Sequence, residues 1–186
     1  MKKLLLILPF LAVISCTHEN QKVTLNFDLN NQSSTIGRDR SVVVAVLDER
    51  ANKNLLGRKK FSEQEIEISP DINLANFLQP KIIQNLMRRG FKNGDDKKIE
   101  IHIESFSYIA KRGYPIGVSK IDANFKVVIQ DKKTGAKFTK NYGMTSDSKH
   151  FIMPLEATDA ETINVLLRDV VQEIVSDDSF LESLVK

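Results

Sequence analysis

The stretch Ile99-Glu100-Ile101-His102-Ile103-Glu104 alternates apolar and polar side chains at every step, the period of a strand with one face on a core and the other in water. The alternation returns at Ile121, Ala123, Phe125, Val127 and Ile129, after a loop at Lys111 to Gly117. Asp131-Lys132-Lys133-Thr134-Gly135 then has the polar residues and glycine of a hairpin turn, and a third strand runs from Ala136 to about Thr145. Three strands joined by short loops predict an antiparallel meander.

Working outward toward the N-terminus, Ser69-Pro70-Asp71 supplies a cap, a proline suited to a first helical turn and an acid for the positive end of the helix dipole. A helix is expected from there. Leu74, Leu78, Ile82 and Leu86, with Phe77, Ile83 and Met87, form its apolar stripe, and Arg88-Arg89-Gly90 is its stop. Pro80 predicts a bend between residues 76 and 80, because an interior proline removes a helical hydrogen bond. Upstream, Glu65 to Ile68 reads as a short strand and Asp48 to Lys60 as a charged loop. Val42-Val43-Val44-Ala45-Val46-Leu47 is continuously apolar and rich in β-branched residues, which predicts a buried central strand able to pair in parallel. Asn30 to Arg40 reads as a loop, and Val23, Leu25, Phe27 and Leu29 alternate like a half-buried strand.

Toward the C-terminus, Thr158-Asp159-Ala160-Glu161 has the form of a capping box. Ile163, Leu166, Leu167, Val170, Val171, Ile174 and Val175 make the apolar face of a second helix, and Ser179 to Lys186 adds a short final turn. The expected fold is α+β, with a mixed, largely antiparallel sheet of about five or six strands and two amphipathic helices packed on one face.

The first residues decide location. Lys2 and Lys3 precede the apolar run Leu4 to Ile14, and the small residue Ser15 stands directly before Cys16, the order of a secretory signal. The run is about half the roughly 20 residues that a spanning helix needs. Val13-Ile14-Ser15-Cys16 resembles the bacterial lipobox. That resemblance implies cleavage between Ser15 and Cys16 and acylation of Cys16, the one cysteine in the chain. An ordinary signal peptide with an incidental cysteine is the alternative reading. The expected organisation is a cleaved signal over 1–15, a lipidated tether over 16–21 and one globular α+β domain over 22–186. One acyl chain binds a membrane marginally and two or more hold it stably; a lipoprotein cysteine carries two or three. Thr17 takes the place of the aspartate that resembles an inner-membrane retention signal, so a periplasm-facing anchor in the outer membrane is expected.

The 27 basic side chains include Lys2 and Lys3, and their loss leaves a nearly even balance against 24 acids, so charge gives nucleic-acid binding no support. With Cys16 acylated no disulfide can form, and stability must come from packing. The three histidines, His18, His102 and His150, form no helical metal-binding pair. Glu100, His102 and Glu104 share one strand face and could in principle hold a divalent cation, but a solvated face with cross-strand charge pairs is the expectation. No serine sits in a nucleophile elbow, and Gly57, Gly113 and Gly117 lack phosphate-loop spacing. No catalytic residue, metal or cofactor is therefore assigned.

Two basic clusters are candidate contacts for a partner or for anionic headgroups: Arg58-Lys59-Lys60, and Lys111-Arg112 beside Tyr114. Phe151, Ile152 and Met153 lie in a stretch without periodicity. They are expected to fold back over the core, and would otherwise form a partner-binding patch.

With these elements in place the chain resembles the YajG family of bacterial lipoproteins. The resemblance rests on Cys16, the segment Leu74 to Gly90 with Met87-Arg88-Arg89-Gly90-Phe91, the strand Ile99 to Tyr108, the hairpin closing on Thr139-Lys140-Asn141-Tyr142, and the last helix followed by Asp177 to Leu181. It implies an envelope location and transfers no catalytic residue. The functional expectation is a non-enzymatic lipid-anchored lipoprotein that binds another envelope component, most simply a protein, as an accessory or scaffold. The alternative is a carrier or sensor of lipid, lipopolysaccharide or peptidoglycan fragments, which would need a deep apolar pocket. The sequence leaves the oligomeric state open.

Overall fold

The computed structural model describes residues 20–30, 33–61 and 63–186. Among them the chain forms eight strands and three helices: β1 (Gln21–Val23), β2 (Ser41–Asp48), β3 (Gly57–Lys60), β4 (Glu65–Pro70), α1 (Leu74–Arg88), β5 (Lys92–Asn93), β6 (Lys97–Lys111), β7 (Gly117–Asp131), β8 (Lys137–His150), α2 (Glu156–Ser176) and α3 (Asp178–Val185). The fold is α+β with a mixed sheet, as expected. The extra strands are short: β1 and β5 have three and two residues, and β3 lies in a stretch read as loop.

The long meander is the frame. β6 pairs antiparallel with β7 along its whole length, and β7 does the same with β8. The other edge of β6 takes two strands end to end, β2 in parallel against Lys97–Ile103 and β3 in parallel against Tyr108–Lys111. β5 continues the sheet beyond β2, while β4 and then β1 continue it beyond β3. Where β2 gives way to β3, Arg50 is buried against Asp48 at 2.8 Å and donates to the carbonyls of Lys53 and Leu55. The connecting loop is thereby pinned from inside.

Inward side chains of the meander, such as Ile99, Ile101, Phe125 and Val127, meet Leu78 and Ile82 of α1 and Ile163, Leu167 and Val171 of α2 in one apolar cluster, to which α3 adds Phe180 and Leu184. Among the described residues nothing covers the opposite face of the sheet. β2 is central in the sheet but buried on one face only, since Val43 and Leu47 remain over a third exposed on the other.

Three local expectations are corrected. The alternation at Val23 to Leu29 is present in burial, yet only Gln21–Val23 pairs as a strand. Beyond it the chain runs along the helices, and side chains replace a strand partner: Asp71 accepts from the Leu25 amide at 3.0 Å, Asn164 from Asn26 at 2.7 Å and Gln172 from Asn30 at 2.7 Å. The helix read from Ser69-Pro70-Asp71 begins at Leu74, because Ser69 and Pro70 pair with β1. Asn73 is its cap, accepting from Ala75 and Asn76, and Pro80 lies inside the helix. The capping box at Thr158–Glu161 does not form: α2 starts earlier, at Glu156, without a side-chain cap, and Asp159 turns inward.

Candidate functional site at the hairpin end of the sheet

Strand pairing brings the two basic clusters together. Lys60 is the register partner of Lys111, and the Arg112 amide donates to the Lys60 carbonyl at 3.0 Å. Lys111 faces Val118 across β7, and Val118 faces Lys149 on β8. One row across the uncovered face therefore reads Lys60, Lys111, Val118, Lys149, at the end where β6 turns into β7 and β8 leaves for α2. Tyr114 stands in that hairpin turn, fully exposed. Gly113 and Gly117 make the turn tight: a Cβ at Gly113 would lie 2.1 Å from the Ile116 carbonyl oxygen and one at Gly117 would lie 2.8 Å from that of Lys111.

The cluster members differ in how free they are. Arg58 is paired with Glu65 at 3.1 Å and Glu67 at 3.3 Å, and Lys60 with Glu65 at 3.0 Å. Lys111, Arg112 and Lys149 are exposed and have no carboxylate partner among the described residues. Lys59 does not belong with them. It points to the opposite face, where its side chain is 5% exposed, forms an ion pair with the fully buried Asp159, and donates to the Pro154 carbonyl at 2.7 Å. Strand alternation explains the correction: neighbours in β3 face opposite sides, so Lys59 cannot join Arg58 and Lys60.

Asp159 also accepts from the Tyr108 hydroxyl at 2.6 Å. Burial, and then the hydrogen bond and charge of Asp159, push the Tyr108 phenol well above its usual range. Next to this group the Ser119 hydroxyl is bonded to His150 Nε2 at 2.9 Å. Lys59, Tyr108, Ser119, His150 and Asp159 thus form a polar knot among β3, β6, β7, β8 and the first turn of α2. The sequence reading missed it, because its members sit far apart in the chain and Asp159 looked like part of a cap. Nothing in the sequence marked Lys59, flanked by Arg58 and Lys60 in a stretch read as loop, as the one that turns inward.

The knot fixes the segment between β8 and α2 from beneath. Met153 packs against the core, as expected, and Lys59 holds Pro154. Phe151 and Ile152 do not fold back: they are 85% and 82% exposed, with Leu155 at 75%. A loop tied down at Met153, Pro154 and Asp159 has too little chain left to turn its other apolar side chains inward.

The remaining candidates separate. Glu100 pairs with Lys98 at 2.7 Å and His102 with Glu49 at 2.7 Å, and the β-bulge between Ile103 and Ser105 breaks the alternation that would have carried Glu104 along. Among the described residues no three His, Cys, Asp or Glu side chains converge as a metal site. A surface hollow of about 460 Å³ lies at the bulge, lined by Arg50, Arg58, Glu104, Phe106 and Ile109, and another of about 230 Å³ lies where α1 meets β2. Neither reaches Ser119 or His150, and the layer between sheet and helices is filled by side chains with little or no exposure. Ser15 and Cys16 lie outside the described residues. No helix among the described residues is long and apolar enough to cross a membrane.

No curated protein sequence matches the chain. Its fold resembles that of a crystallised protein from Xanthomonas campestris, at 8% identity and a TM-score of 0.51, covering 83% of this chain and 94% of that one. A proposed neuraminyllactose-binding hemagglutinin homolog from Helicobacter pylori is similar at 8% identity and a TM-score of 0.45, covering 86% and 98%. A lipoprotein from Neisseria meningitidis is similar at 14% identity and a TM-score of 0.33, covering 74% and 99%. Residues 28–184 match the family described as uncharacterized lipoprotein, and the chain therefore belongs to this family of bacterial lipoproteins.

Proposed function

We propose that the protein is a non-enzymatic, YajG-like lipoprotein, anchored through acyl chains on Cys16 in the outer membrane and facing the periplasm, where it serves as an accessory or scaffold for another envelope component. The observation that carries this reading is the contrast between the two faces of the sheet. Behind the helices the core is filled by buried side chains, with surface hollows of about 230 Å³ where α1 meets β2 and about 450 Å³ where α2 flanks β7 and β8, whereas the uncovered side presents Val43, Leu47, Ile109 and Val118 among charged neighbours. A surface of that kind suits a macromolecule. A carrier of lipid or glycan fragments would instead need an enclosed apolar cavity, and the filled core argues against it. Thr17 supports the outer membrane, and the lipobox-like Val13 to Cys16 supports the anchor.

The test is site-specific photocrosslinking in cells with the reactive side chain at Leu47. A single envelope protein captured there, and lost when Val43 and Ile109 are changed to Glu in the same background, is the expected result. No discrete adduct at Leu47 in membranes that contain the protein would overturn the scaffold reading.

A further inference from the structure

We infer that the hairpin end of the sheet is a membrane-seating surface: Tyr114, Phe151, Ile152 and Leu155 enter the interface of the bilayer that holds Cys16, and Lys111, Arg112 and Lys149 meet its anionic headgroups. The inference rests on the anchored reading above and specifies how the domain sits on its membrane.

The first support is composition at one end of the molecule. Four apolar or aromatic side chains there are three-quarters or more exposed, although the loop that carries three of them is held at Pro154 by Lys59 and at Asp159, four residues beyond Leu155, by Tyr108. Tyrosine and phenylalanine beside unpaired cations are the residues that settle at headgroup depth, and an anionic surface attracts each added cation. Exposed acids nearby are Glu63 in the turn between β3 and β4, Glu156 and Asp147, and Glu65 neutralises Lys60, which leaves Lys111, Arg112 and Lys149 as the unpaired cations of the surface among the described residues. Asp147 stands across from Lys120 in the next row, so the outermost row keeps its positive sign.

The second support is where the tether arrives. β1 pairs in parallel with β4, and β4 antiparallel with β3, so the chain before Gln21 comes from the side of Glu65, Lys60 and Lys111. The Gln21 side-chain amide donates to the Glu156 carbonyl, one residue beyond Leu155. Cys16 is five residues before Gln21, at most about 18 Å of extended chain. An acylated Cys16 therefore delivers the domain to the bilayer with this end leading. A second copy of the chain or a protein partner would have no reason to choose the end from which the anchor emerges.

The chain contains no tryptophan, so single introduced tryptophans report position. The acylated protein, purified from membranes as Phe151→Trp or as Met87→Trp, is reconstituted into phosphatidylethanolamine–phosphatidylglycerol vesicles with brominated acyl chains. Met87 is exposed where α1 ends, beside the start of β2 and far from the hairpin. We expect blue-shifted emission for Phe151→Trp with at least twofold quenching, and water-like, unquenched emission for Met87→Trp. Lys111→Glu with Arg112→Glu and Lys149→Glu should lower the quenching at least twofold. Intact mass read on the same samples reports the anchor separately. Acylated Cys16 with a solvated, unquenched Phe151→Trp would overturn the seating surface and leave the anchor standing. Blue-shifted but unquenched emission would mean cover by protein, and would overturn it too. An unacylated mass would end the anchor reading, and quenching of the pair in the same vesicles would still decide the surface.

Discussion

Lys59 is the residue whose removal the fold should feel most. Its ammonium and the Asp159 carboxylate are both out of water, so their attraction mainly offsets the cost of desolvating them. A pair of this kind stabilises little in itself, but breaking it leaves a charge with nowhere to go. Lys59→Met strands Asp159 with the Tyr108 hydroxyl as its remaining donor and frees the Pro154 carbonyl. We expect a loss of about 3–5 kcal/mol in urea unfolding. Adding Asp159→Leu and Tyr108→Phe removes the buried charge pair and the hydroxyl bonded to it, leaving Ser119 and His150 bonded to each other, and should recover most of that loss. A triple variant no more stable than the single one would mean that the knot stabilises through its hydrogen bonds and not through charge balance. The same knot explains an error of sequence reading. Lys59 looked like one of three solvated cations, and only strand register, which a sequence does not print, tells that it shares a face with the core.

At the scale of elements, α3 illustrates how a short helix is docked. Asp177 caps it by accepting from the Phe180 amide at 2.8 Å and ties it to β8 through Lys140. Burial pushes the Asp177 carboxyl up, but the Lys140 bond, the Ser179 hydroxyl and the Phe180 amide outweigh it and bring it down to about 2. Unfolded aspartate titrates near about 3.9. A depressed folded value means that the stabilisation is fully present above roughly pH 4 and is lost as pH falls toward 2. The protection factor of the Phe180 amide, its exchange rate taken relative to the intrinsic rate at each pH, should therefore fall over that window. Asp177→Asn keeps the cap and loses the charge, so its protection should be lower at neutral pH and flat below pH 4; an unchanged acid dependence of protection would assign the effect to another carboxylate. Much of this architecture was legible. Alternation located the meander because half-buried strands impose a period of two, and the stripe on α2 was complete. What was not legible came from competition between elements. Leu25, Phe27 and Leu29 alternate as a strand would, yet side chains of α2 bond the backbone on either side of them: Asn164 accepts from Asn26 and donates to the Thr24 carbonyl, and Gln172 accepts from Asn30. Glu104 follows His102 in period but sits at a bulge, with no register partner on β7. The candidate site was half legible: Lys111, Arg112 and Tyr114 stood out by type, while Phe151 and Ile152 resembled core because nothing local marks an apolar side chain as excluded from it.

For the molecule as a whole, the two faces and the two ends divide the work. The buried core behind the sheet ties sheet and helices together; on the proposed reading the uncovered face takes a partner and the hairpin end faces the membrane that the tether reaches. On that reading the acyl anchor is the strong hold and the seating surface a weak one that the anchor's proximity reinforces. The tether sets an effective concentration of the hairpin end at the bilayer, which falls roughly as the −3/2 power of tether length once the tether exceeds the span. Lengthening the segment between Cys16 and Gln21 about fivefold with glycine and serine should cut that concentration about tenfold. Quenching of Phe151→Trp should then become dependent on salt and on the fraction of anionic lipid, because electrostatic attraction is screened within about 10 Å at 0.1 M salt and is no longer backed by proximity. With the native tether the same quenching should depend on salt less steeply than with the long one. Equal salt dependence for the short and long tethers would mean that the hairpin end binds the bilayer without help from the anchor. In that case the acyl chains fix the membrane to which the protein belongs but not its pose there.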